Sequence, residues 1–436
     1  MIPGSPAEPT RRPRRRRLFL AAALVVVLAH AGPAAGGEGD AIPELFADHA
    51  PLAFELALDR RALCRPRPTR PCTPTSALLI YRTAAGEAQR LEVRVRTRGG
   101  WRDEHCDVPP LFVELAAPPS EGPFSGQTLL PITTHCRTSS SRYEQYVLKE
   151  YLAYSLYELF TDKSLRVRLA RVTYRDLGKR GRAAERFAFI VEPFDHLAAR
   201  HHATLEDIGA LRLSETDAFE LATLELFQYL LGNTDWSIVA GHNIVRMRDA
   251  RGAMSAVPYD FDFAGLVGAA YAMPPPNLRL RNVRERLFRG FCRRELDWER
   301  LFVRFIEQRS AMLGLIENVP GLEHAQRNDV REYVLDFFDV VASPEKRRRE
   351  IVDACRPIPN DPPSPRWRSP KANGGRPRRR CGAHPDACAP QAVEAYIEHA
   401  PSTTPPTAET RRRVALEALA AATAANFLPH PATARS

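Results

Sequence analysis

Through much of the first half of the chain, apolar positions recur every second residue. Leu91, Val93 and Val95 alternate with Glu92, Arg94 and Arg96, which predicts a strand with one buried face over 91–98, ended by Gly99-Gly100. Further apolar, β-branched runs predict strands over 76–82, 111–115, 128–133, 166–174 and 186–191. One segment breaks the alternation. Tyr143, Val147 and Tyr151, with Leu148, Leu152, Leu156 and Leu159, recur at helical spacing and predict a helix over 142–160 behind capping serines. The second half is helical. Helices are expected over 215–231, with Ser214 as N-cap, and over 281–291, 296–316 and 325–341. Two short strands, 243–248 and 254–259, flank a turn at 249–252.

The ends of the chain read differently. Arg11, Arg12 and Arg14 to Arg17 precede an apolar stretch over 18–29, and small residues dominate 31–37. That three-part pattern predicts a secretory signal peptide over 1–37, cleaved after Ala31 or a few residues later. The stretch is shorter than the roughly 20 residues of a membrane span, although an uncleaved amphipathic anchor is the alternative. No later segment is apolar for long enough to cross a bilayer, so no integral membrane segment is expected after cleavage. Residues 357–436 are rich in Pro, Arg, Ser and Ala with little periodicity and read as a disordered tail, with a short helix over 408–426.

An exported chain meets an oxidising compartment, either periplasmic or extracellular, which makes disulfides the default for its eight cysteines. None of the spacings is CxxC, and the cysteines do not cluster with histidines as zinc ligands do. Cys64 with Cys72, Cys106 with Cys136 and Cys381 with Cys388 are near neighbours, but spacing alone does not fix connectivity. The net charge of +10 does not call for a nucleic-acid partner, because much of the excess lies in the leader and around Arg376 and Arg378 to Arg380.

Three short segments carry the chemistry: Gly232-Asn233-Thr234-Asp235, then Gly241-His242-Asn243, then Asp260-Phe261-Asp262. A hairpin of 243–248 with 254–259 would bring Asn243 and Asp260 to one end, where the loop holding Asp235 also enters. Magnesium takes oxygen ligands, typically one or two carboxylates with phosphate oxygens. Phosphoryl transfer also needs a separate Asp to orient or deprotonate the acceptor hydroxyl. Asp260 and Asp262 share one side of an extended chain, and two close carboxylates repel unless a cation or proton relieves them. There is no GxGxxG, and no lysine falls in the early strands, so a phosphate-facing cation would be Arg96, Arg98 or Lys149.

The set resembles the atypical, CotH-type (spore-coat) protein kinases. Four places carry the resemblance: Arg98-Gly99-Gly100 after a strand, the helix bearing Lys149-Glu150, the strand ending in Val191-Glu192, and Asp260-Phe261-Asp262. It spans about 90–265. It implies an α+β, bilobal protein-kinase-like fold, with a mixed-sheet N-lobe over 38–195 and a helical C-lobe over 196–356. It further implies ATP with Mg or Mn as cofactors and an exported protein as substrate. By that analogy Asp235 would be the catalytic base. Asn243 and Asp260 would be metal ligands, Asp262 an added ligand, and Arg98, Lys149, Glu150 and Glu192 would form the nucleotide side. The alternative is a catalytically inactive, kinase-like binding or surface protein, for which the missing glycine lid and lysine speak. A calcium-stabilised domain using the same carboxylates is a third reading.

Overall fold

Seven strands close into a ring. The computed structural model describes residues 44–66, 72–179, 182–206 and 213–358. In it β1 (Leu52–Leu58), β2 (Thr75–Arg82), β3 (Ala88–Thr97), β4 (Leu111–Leu115) and β5 (Leu129–Thr133) follow one another antiparallel. β7 (Arg182–Val191) joins β5, and β6 (Val167–Asp176) joins β7. β6 then runs parallel to β1 and completes a closed barrel.

The barrel overturns the expected bilobal, kinase-like layout with its mixed-sheet N-lobe. The cause is β1, a segment without a strict alternation. It pairs with β6 along its whole length, from Leu52 opposite Ala170 to Leu58 opposite Asp176. That single parallel ladder removes the free edge an open sheet would expose.

The remaining strands alternate as their patterns require. Val93 and Val95 of β3 point into the barrel with Leu56, Leu79, Val113, Ile132, Val172 and Ile190. β7 is buried on both faces. Ala188 and Ile190 fill the barrel, while Phe187, Phe189 and Val191 pack outward against α3 (Arg142–Glu158). This explains why its C-terminal half is apolar without interruption.

The short helices α1 (Glu44–Ala47) and α2 (Trp101–His105) flank the barrel strands in sequence. After β7 the chain forms α4 (Phe194–Arg200), β8 (Ala203–Leu205), α5 (Ala218–Leu231), β9 (Ile244–Asp249) and β10 (Met254–Pro258). The last two strands are the expected hairpin, and β8 extends it into a three-stranded sheet. α6 (Trp298–Glu307), α7 (Arg309–Asn318), α8 (His324–Ala342) and α9 (Pro344–Arg347) complete the helical part. No helix among the described residues is long and apolar enough to cross a membrane.

Three local expectations change. The N-cap of α5 is Asp217, whose carboxylate accepts from the backbone N–H groups of Phe219 and Glu220, rather than Ser214. The single helix over 296–316 is two helices meeting at Gln308. Residues 281–291 form no helix. Arg284 there donates to Asp329 and to the Gly265 carbonyl, and Arg286 donates to the carbonyls of Leu230 and Tyr333. These tertiary bonds tie the segment, which turns at 283–284, to α8 and to the end of α5.

The disulfides Cys64–Cys72 and Cys106–Cys136 join two of the near-neighbour pairs. A third, Cys292–Cys355, closes 63 residues of chain and ties the segment before α6 to the one after α9. Breaking it by Cys292→Ser with Cys355→Ser is expected to destabilise the fold by roughly 2–4 kcal/mol, through loop closure that the unfolded chain no longer bears. Urea midpoints of the variant and the parent under oxidising conditions measure this. The leader over 1–37, the helix over 408–426, Cys381 with Cys388, and the tail beyond 358 lie outside the described residues.

Candidate functional site

The hairpin sets the geometry. Ile244 pairs with Pro258, and the Tyr259 N–H donates to the Asn243 carbonyl, so Asn243 and Asp260 lie at the same end of the ladder. Both have positive φ, 53° and 59°. Asn and Asp tolerate this left-handed conformation better than most residues, at some strain. The loop bearing Asp235 enters from α5. Gly232 turns it with φ 62°, and an added Cβ would collide with the Tyr333 hydroxyl, so a side chain there has neither the conformation nor the room.

Asp235 is fixed from two sides. Its Oδ1 is 2.9 Å from His242 Nε2. Asn243 Nδ2 donates to the Asp235 carbonyl at 2.7 Å and to Oδ2 at 3.2 Å. With its side chain about a third exposed, the carboxylate is oriented yet reachable. Burial opposes a charge on His242, but the hydrogen bond and the negative charge of Asp235 prevail and raise its pKa above the usual value.

Sequence reasoning missed the centre of the site. Arg102, on α2, donates from Nη1 and Nη2 to the two oxygens of Glu150 on α3, at 3.0 and 3.2 Å. Its Nη2 also bonds Asp260 Oδ1, and its Nε lies 3.2 Å from Asp262 Oδ2. One guanidinium therefore relieves three carboxylates. Burial raises the Asp260 pKa, but Arg102 and then Arg98 outweigh it and hold it below the ordinary range. Asp262 goes the other way. Burial, reinforced by Asp260 and Glu150, pushes its pKa well up despite Arg102. Asp260 thus keeps its charge more readily than Asp262, the outcome expected of crowded carboxylates. Tyr154 completes the frame by accepting the Asp260 N–H at 2.8 Å.

Arg98, at the end of β3, donates to the Thr133 hydroxyl at 2.7 Å, while its Nε has no hydrogen-bond partner among the described residues. Its charge is felt at Asp260 and Glu150, so it stands close enough to add positive potential to the site. The structure thus brings together Asp235, Asn243, Asp260, Asp262, Glu150 and Arg98, and places the other candidates elsewhere. Lys149 is buried with its ammonium 3.1 Å from Gln326 and 3.9 Å from Asp329 on α8, and burial lowers its pKa to about 8. Glu192 accepts from Arg200 at 2.9 Å and from the Arg166 N–H at 3.1 Å. Arg96 pairs with Glu114.

No group of three His, Cys, Asp or Glu among the described residues could hold a metal alone. The donor set does suit a hard divalent cation that brings phosphate oxygens with it. Asp260 is a part-exposed carboxylate, Asn243 is an amide at the same hairpin end, and the charge of Arg98 reaches Asp260.

No protein-family profile matches the chain, and no curated protein matches it. Among solved structures, a Helicobacter pylori proinflammatory kinase CtkA is a weak structural neighbour, with a TM-score of 0.31 and 12% identity over 56% of this chain and 89% of that one.

Proposed function

We propose that the chain is an exported phosphotransferase that takes ATP with Mg or Mn and transfers the γ-phosphoryl group to a hydroxyl of a protein or another secreted acceptor. One observation carries the reading. An oriented, reachable Asp235 lies beside an Asn and an Asp that a hairpin holds in left-handed conformations at one place. That division of labour, one carboxylate for the acceptor and an Asn–Asp pair for the metal, is what phosphoryl transfer demands. The residues also fit the motif order behind the resemblance to CotH-type kinases. Three disulfides among the described residues are compatible with export.

In this reading Asp235 accepts the proton of the acceptor hydroxyl, and His242 and Asn243 keep its carboxylate aimed. Asp260 and Asn243 hold the cation, whose charge offsets the negative charge that develops on the phosphoryl oxygens. Arg98 and Arg102 supply the fixed positive charge that a lysine and a glycine lid would otherwise provide. The melting temperature of purified protein tests the reading: a rise with millimolar Mn-ATP is expected, because a ligand of the native state stabilises it by mass action. No rise, or a rise with the metal alone that ATP leaves unchanged, would refute it.

A binding or surface protein without turnover is the second reading. The Arg102 contacts favour it, since an internal cation already neutralises the cluster. Under this reading Asp235 substitutions leave every measurable function intact.

A further inference from the structure

His135, two residues past the end of β5, is 2% exposed, and neither of its ring nitrogens has a hydrogen-bond partner among the described residues. Its ring lies 5.4 Å from that of Tyr174 on β6, whose hydroxyl is also buried and without a partner among the described residues. Buried polar side chains are normally hydrogen-bonded, so two such groups side by side mark an exceptional place.

The charges that reach the imidazole mostly oppose a second proton. Arg186 on β7 and Arg60 beyond β1 repel it, and Asp107 beyond α2 is the charge that favours it. Tyr174 stays neutral, because burial and then Glu144 on α3 push its pKa up. Burial first, then the two arginines, lower the His135 pKa to about 4.

The residues on either side of His135 hold two supports of the candidate site. The Thr133 hydroxyl accepts from Arg98 at 2.7 Å. The Thr134 hydroxyl donates to the Val108 carbonyl at 2.6 Å, and the Val108 N–H donates to the Cys136 carbonyl at 2.9 Å. Cys136, with φ 56°, is bound to Cys106, the C-cap of the helix α2 that carries Arg102. Arg98 and α2 are therefore both fastened to a short segment with His135 at its middle.

We propose that His135 is an acid sensor: on taking up a proton it frees residues 133–136 from 106–110 and so loosens the hold on Arg98 and α2. This device does not depend on what the candidate site binds. In an opened segment the ring regains the ordinary histidine pKa of 6.5, whereas the closed segment holds it near 4. The closed form thus has its full advantage above pH 6.5 and loses it as pH falls towards 4.

Urea unfolding and phosphine reduction of the full, oxidised chain at pH 8 and pH 5 test the proposal. The comparison is with His135→Phe, which keeps a ring and takes no proton. Between pH 8 and pH 5 the folding equilibrium of the parent is expected to fall about tenfold or more relative to that of the variant. Over the same change, reduction of Cys106–Cys136 in the parent should speed up several-fold relative to Cys292–Cys355, with no such change in the variant. A parent-to-variant ratio of folding equilibria that is equal at both pH values overturns the proposal. So does a reduction ratio that ignores pH in the parent, or one that changes as much in His135→Phe, since acid would then act elsewhere. Where His135→Phe does not unfold cooperatively, His135→Gln, also without a titrating group, takes its place, and the same results support or overturn the proposal.

Discussion

Asp235→Asn is expected to bind Mn-ATP as the parent does and to lose turnover by about 10²–10⁴-fold, the range a positioned general base supplies. The substitution keeps the shape, and an Asn can still receive one hydrogen bond from His242 or Asn243, so the loop from α5 keeps its course. What disappears is the capacity to take a proton. Asp260→Asn is expected to lose both the Mn-ATP rise in melting temperature and turnover, since it removes the carboxylate charge that Arg102 and Arg98 favour at Asp260. The backbone tolerates it, because Asn accepts a positive φ as readily as Asp. Melting curves and initial rates for the two variants, side by side, separate the roles. Equal ligand-dependent shifts in Asp260→Asn and the parent would remove Asp260 from the metal. Early unfolding of both variants, with no effect of metal on either, would make the cluster structural.

Periodicity made individual elements legible, and long-range pairing hid how they assemble. β3 and α3 follow from spacing alone, and so does the hairpin that unites Asn243 with Asp260. The closed barrel does not follow. It depends on β1 lying parallel to a strand more than a hundred residues later, and no local pattern announces such a ladder. Residues 281–291 have helix-forming composition, yet Arg284 and Arg286 gain more from carbonyls and from the ring of Tyr333 than from a helix. Arg102 is the most instructive omission. In Trp-Arg-Asp-Glu-His it reads as one charge on a solvated surface, and only its partners, 48 residues away on α3 and 158 away after β10, make it the centre of the site. The one signal available was chemical: paired carboxylates at Asp260 and Asp262 require a cation, and the early strands offered arginines in place of a lysine.

The support of the site yields the last expectation, and it reaches Asp235 through α5. Glu225 on that helix is fully buried and is bound by Arg293 at 2.6 and 2.9 Å. Arg293 follows Cys292, so the pair and the disulfide hold the same segment against α5. Arg293→Met is expected to destabilise the protein by roughly 3–5 kcal/mol, because it leaves a buried carboxylate without its cation. Glu225→Leu with Arg293→Met should recover most of that loss, since an apolar pair of similar volume replaces a desolvated one. The pH dependence fixes the cause. Burial already raises the Glu225 pKa against the pull of Arg293, and without Arg293 it rises further. The native variant then holds a proton that the unfolded chain releases above its ordinary glutamate value, so stability falls as pH rises through the folded pKa. Urea unfolding at pH 5 and pH 8 should therefore show the deficit of Arg293→Met growing toward pH 8, and the double variant showing no such slope. A deficit that is the same at both pH values would mean that lost packing around the arginine stem, rather than an uncompensated charge, weakens the helix that delivers Asp235.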